Sequence, residues 1–250
     1  MPVSTEKASL ALALCDFIPN LLYLAGSLTF ATLMAGEDRA SAARMFACGA
    51  VLVFAAGLLK AISKLGDALS SRPVTEGGFL YDQMIPVMAI GFLAPAAAVI
   101  GLLRRPAPIP SASSGSIDAI AATAVHLIAV LMLVAALVIS ARANLPGQNL
   151  RPAFLKYKKI SLIAMIVFQL VTVGVLAALA FREHDALTGM LCVLSITAML
   201  AMGALGSPDV QERFQNRIAM NWLDEAVNIL AQAAYLAAAF WLALFGGRAL

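Results

Sequence analysis

The stretch "SLIAMIVFQLVTVGVLAALAF", residues 161–181, contains no charged side chain over 21 positions. About 20 apolar residues in a helix are enough to cross the roughly 30 Å hydrocarbon core of a bilayer. Neighbouring stretches repeat the pattern, so the reading of this one extends along the chain. Spans are predicted near residues 8–36, 40–68, 81–103, 117–142, 156–181, 186–206 and 219–246. Barrel strands need only about 9–11 residues and alternate in polarity, which these runs do not. Backbone groups in lipid must be satisfied within the segment, so the spans are helices. The predicted fold is an all-α integral membrane protein, a seven-helix transmembrane bundle. Residues 1–250 form a single transmembrane domain.

Composition agrees. The 250 residues are 62% hydrophobic and 12% charged, against about 45–50% and about 25% in soluble domains. The net charge of +3 sits in short loops and stripes no helix, which excludes a nucleic-acid partner. Cys15, Cys48 and Cys192 stand alone in apolar runs, so neither a disulfide framework nor a zinc site is expected.

The lysines and arginines set the expected orientation. The loop "NLPGQNLRPAFLKYKK" (144–159) is the most basic connection, with Arg151, Lys156, Lys158 and Lys159. Placing it with the N-terminus in the cytoplasm gives that side the excess of positive charge. Seven spans then put the C-terminus outside, in a cytoplasmic-type (inner) membrane. Spans one to three and five to seven share only Ala, Leu and Gly richness, and no repeat is established.

Ionisable side chains within the spans carry the functional expectation, because each costs about 2.5–3.5 kcal/mol at helix-centre depth. In span one, Asp16, Asn20, Tyr23 and Ser27 form one helical stripe. Lys60, Lys64 and Asp67 form another in span two, and Glu225, Asn228, Gln232 and Tyr235 a third in span seven. Asp224 lies one position off that stripe. Counting at 1.5 Å per residue puts Asp16, Lys60 and Glu225 at one level, roughly 10 Å inside the cytoplasmic half. They are expected to form one buried cluster, with spans one, two and seven as neighbours. Gln83, at the start of span three, is somewhat shallower. Lys64 is expected to snorkel to the interface. Pro19 frees a backbone carbonyl beside Asp16, and Pro86 and Pro95 are expected to interrupt span three. Gly49, Gly57, Gly174 and Gly203 are expected to allow close helix contacts.

The remaining polar residues exclude several chemistries. The chain has two histidines. His126 is alone in span four, as a packing residue or a proton relay, and His184 belongs to the turn "REHD" at the opposite surface. That removes bis-histidine haem ligation and a three-histidine zinc site. Span 219–246 has no lysine, so retinal attachment of the rhodopsin kind is not expected. No cofactor and no metal are expected. No nucleophile elbow, Walker loop or HExxH motif is present, which leans away from an enzyme.

Three functions follow in order of preference. The first is a small-solute or ion transporter whose binding residues are Asp16, Asn20, Lys60, Gln83, Glu225, Asn228 and Gln232. The second is an intramembrane lipid-modifying enzyme. The third is a non-catalytic membrane subunit of a larger complex. The expected partners are membrane lipids and an unknown solute or ion, with a homo-oligomer or a membrane-complex partner left open.

Overall fold

The computed structural model describes residues 9–35, 39–70, 79–103, 151–205, 210 and 217–245, with the side chains of 79–83, 151–156 and 217–218 set aside. Seven helices of six residues or more are described: α1 (Leu10–Cys15), α2 (Phe17–Met34), α3 (Ala40–Leu69), α4 (Phe79–Leu103), α5 (Arg151–Arg182), α6 (Ala186–Leu205) and α7 (Arg217–Phe245). No strand occurs among the described residues. Among the described residues, six spans are long and apolar enough to cross a membrane, with α1 and α2 together forming the first. The chain is a multi-pass helical membrane protein. The expected span 117–142, with His126, lies outside the described residues.

Neighbours in sequence are neighbours in space. α2 packs on α3, α3 on α4, α4 on α5, α5 on α6 and α6 on α7, while α7 returns to α2 and closes a ring. α1 leans on α3 and touches α7. Aromatic rings fill the interior. Tyr23 stacks on Tyr235 with centroids 5.8 Å apart and meets Phe92 of α4 edge-on at 5.4 Å, and Phe30 lies 5.2 Å from Tyr235. The Ser27 hydroxyl and the Tyr235 hydroxyl share a buried hydrogen bond of 3.2 Å. Large apolar side chains also point outward, among them Leu21, Val51, Ile163, Val193 and Phe240. A surface of that kind suits solvation by lipid tails. Trp222 and Trp241, near the two ends of α7, are both exposed, as interfacial anchors should be.

Small residues set the closest approach. A Cβ on Gly49 would collide with the Pro95 ring and lie 2.5 Å from the Gly91 carbonyl oxygen. A Cβ on Gly91 would in turn lie 2.8 Å from the Val53 backbone nitrogen. The backbones of α3 and α4 therefore touch. The Gly91 carbonyl is the one that Pro95, four residues on, leaves without its helical N–H partner. Gly49 gives it room. Pro86 and Pro95 do not interrupt span three as expected: α4 runs unbroken through both, and both are fully buried. Among the described residues nothing lies within 4 Å of a Cβ built on Gly174 or Gly203, so neither makes the expected close contact there. Gly49 and Gly91 face a second backbone, whereas Gly57 and Gly189 make room for side chains.

The turn between α5 and α6 closes a helical hairpin. His184 takes φ 63°. Its N–H donates to the Phe181 carbonyl at 3.1 Å, and the Asp185 N–H donates to the Ala180 carbonyl at 2.9 Å. This is a Schellman ending, which normally selects glycine. Asp185 then caps α6, accepting from the Thr188 N–H at 3.1 Å and the Thr188 hydroxyl at 2.6 Å. His184→Gly is expected to raise stability by about 0.5–1 kcal/mol through relief of left-handed strain, measured as a higher unfolding midpoint in detergent.

Candidate functional site

The first span is built around a discontinuity. Pro19 has no N–H for the Cys15 carbonyl, and its ring crowds that carbonyl. The ladder of helical hydrogen bonds is interrupted at Asp16, between α1 and α2, while the Asp16 backbone keeps helical dihedrals (φ −59°, ψ −19°). As the cap residue that ends α1 and precedes α2, Asp16 turns its carboxylate into the bundle, where it is 1% exposed. The Asn20 amide donates to the Asp16 carbonyl at 2.7 Å and holds the junction. Asn20 in turn requires Gly57: a Cβ there would collide with the Asn20 side-chain oxygen.

Two lysines of α3 reach this junction. Lys60 and Lys64 are one turn apart, so their side chains share a face. Lys60 Nζ lies 3.2 Å from Asp16 Oδ1, and Lys64 Nζ lies 2.6 Å from Asp16 Oδ2. The second contact is an ion pair outside good hydrogen-bond angles. Glu225 of α7 completes the group. Its Oε1 accepts from Lys60 at 3.4 Å and from Lys64 at 3.3 Å. Each ammonium therefore meets both carboxylates. Glu225 is also almost fully buried, at 3%, whereas both lysine side chains are 22% exposed. The carboxylates form the back of the site and the lysines its more accessible side.

The structure thus brings Asp16, Lys60 and Glu225 together, at the junction of the three spans expected to be neighbours. Lys64 departs from its expected snorkelling position and makes the shortest contact in the network. The sequence did carry the signal for it, because a lysine at i+4 from Lys60 shares its face. Asp67, further along α3, is half-buried and outside the network. Asn20 sits one turn beyond the ion pairs, touching the backbone of Asp16 rather than a charge. Asn228 is half-buried one turn along α7, and Gln232 is buried another turn on. The side chain of Gln83 lies outside the described residues.

A polar line continues inward from the charges. Glu225 Oε2, Gln232 Oε1 and the Tyr23 hydroxyl are buried without a hydrogen-bond partner among the described residues. Beyond them lies the Ser27–Tyr235 hydroxyl pair. From Glu225 to Tyr235 the helical rise covers about 15 Å. Buried polar atoms normally find partners, and ordered water is the common one where protein supplies none. No group of three or more His, Cys, Asp and Glu suited to a metal ion occurs among the described residues.

Comparison with protein-family models, curated proteins and solved structures returns no match. The functional reading therefore rests on the geometry.

Proposed function

We propose that the chain is a transporter of a small solute or ion in a cytoplasmic-type (inner) membrane. In this reading it has seven spans, a cytoplasmic N-terminus and an outer C-terminus. The observation that carries it is the four-residue ion network buried between three spans and continued inward by the buried polar side chains Gln232, Tyr23, Ser27 and Tyr235. Stabilisation alone is a poor account of that network. Hydrogen bonds inside membrane proteins average about 0.6 kcal/mol, and buried ion pairs often contribute no more than apolar packing of equal volume. Ionisable groups that face a bundle interior and pair with one another mark substrate or ion pathways. Asp16 and Glu225 supply proton- or cation-binding carboxylates, and Lys60 and Lys64 balance them.

Solute uptake into proteoliposomes tests this. Asp16→Asn and Glu225→Gln are each expected to lower uptake at least ~10-fold, equivalent to about 1.4 kcal/mol of lost barrier stabilisation. Uptake unchanged in both variants overturns the role given to the network.

A further inference from the structure

Both lysines of the network are fully engaged. Lys60 and Lys64 each meet Asp16 and Glu225 at 2.6–3.4 Å, and Lys60 makes a further interaction as well. Neither ammonium group has charge to spare. The excess lies with the acids. Asp224, beside Glu225 in α7, is half-buried, and its charge acts on Lys60, Lys64 and Asp16. Three carboxylates therefore face two ammonium groups among the described residues, and with all five ionised the site carries one net negative charge. Asp67 lies about a turn beyond Lys64 on α3, outside the network. The remaining titratable groups on the helices packed here are Cys15 of α1, Tyr23 of α2, Cys192 of α6 and Tyr235 of α7, none of which adds a positive charge.

Net charge between apolar helices is costly, and a buried carboxylate relieves it by taking a proton or a cation. The geometry favours the proton. A metal cation needs several oxygens converging on one point, and no group of three or more His, Cys, Asp and Glu suited to one occurs among the described residues. Three of the four oxygens of Asp16 and Glu225 already face an ammonium group. A proton needs only one lone pair. Glu225 Oε2 is buried and accepts no hydrogen bond from a described residue, and the Asp16 and Glu225 carboxyls stand within hydrogen-bonding reach of each other. Two carboxyls so close hold one proton between them more readily than they hold two charges.

We propose that the network binds one proton, shared between the Asp16 and Glu225 carboxyls, and that this proton is the ion coupled to solute movement. The loaded site is neutral: three carboxyl groups, two ammonium groups and the proton. Loss of the proton restores the single negative charge, so the emptied site draws a proton back. Asp224 sets that balance without holding the proton itself. The coupling half of the proposal deepens the transporter reading and rests on it, since solute and proton then use the same side chains.

Infrared spectroscopy of the full-length protein in detergent at about pH 7 tests the proton site, because solvated carboxyls are ionised there and only a protonated one gives the C=O stretch. One such band per chain is expected. Asp16→Asn and Glu225→Gln are each expected to abolish it. Asp224→Asn is expected to abolish it too, although both proton-holding carboxyls remain, because two acids then balance two lysines. Asp224→Glu is expected to retain the band, which separates charge from folding, and Asp67→Asn is expected to leave it unchanged. A parent protein without the band overturns the proton site, and a band that survives Asp224→Asn overturns the charge balance behind it. Coupling is tested in vesicles with an entrapped pH dye and labelled alanine, glucose and pyruvate as probes. Whichever probe is taken up is expected to change the luminal pH, and Glu225→Gln is expected to remove that change. Uptake without a pH change overturns the coupling and leaves transport standing. A band with no uptake of any probe overturns the coupling together with the transporter reading and leaves the proton site standing.

Discussion

Lys64→Gln is expected to destabilise the folded protein by about 3–5 kcal/mol, because it strips one partner from a buried ion network and leaves charge uncompensated. Asp16 and Glu225 both lose a contact, at 2.6 and 3.3 Å respectively, and neither is exposed enough for water to replace it. Combining Lys64→Gln with Asp16→Asn is expected to restore most of that loss. The double variant keeps one base and one acid, Lys60 and Glu225, still 3.4 Å apart. Unfolding midpoints of both single variants and the double in detergent give the coupling directly. The same double variant separates structure from function: it is expected to fold and to fail in uptake. A double variant that both folds and transports at the parental rate makes the network structural only.

The second large effect belongs to the α3–α4 contact. Gly49→Ala is expected to cost about 1–3 kcal/mol, as overpacking of a tight interior does. The new methyl meets the Pro95 ring and the Gly91 carbonyl, and neither has a rotamer through which to retreat. The helices must separate instead. Gly49→Leu is expected to prevent assembly of the bundle. Gly66→Ala, on the same helix, is the matched control. Nothing among the described residues lies within 4 Å of its Cβ, and alanine improves on glycine inside a helix by up to about 1 kcal/mol. Yield and unfolding midpoint are expected to fall for Gly49→Ala and to hold or rise for Gly66→Ala. Equal behaviour of the two refutes the backbone contact.

These sites show what periodicity conveys. The Asp16–Asn20–Tyr23–Ser27 stripe was legible because helical spacing alone places four polar groups on one face. Matching depths then brought Asp16, Lys60 and Glu225 to a common level. Depth counting failed for Lys64. A lysine stem is long enough to point toward either the interface or the interior, and the choice depends on which acids stand opposite. It failed for the prolines too. Pro19 stands three residues past Asp16, where the span's polar face starts, and interrupts the helical ladder there, whereas Pro86 and Pro95 are absorbed in α4. At Pro95 the difference is a glycine on the neighbouring helix, which no local pattern in span three announces.

From sequence alone follow the membrane, the helices and the faces of those helices that carry charge. These are consequences of apolar length and of the 3.6-residue period, both local properties of the chain. Only the tertiary structure decided that the described spans close into a ring, that Gly49 meets the backbone of a second helix, and that both lysines share both carboxylates. Each of those depends on what the facing helix presents at the same height. A helix repeats its own pattern regardless of its neighbour, but an ion pair or a backbone contact exists only between two of them.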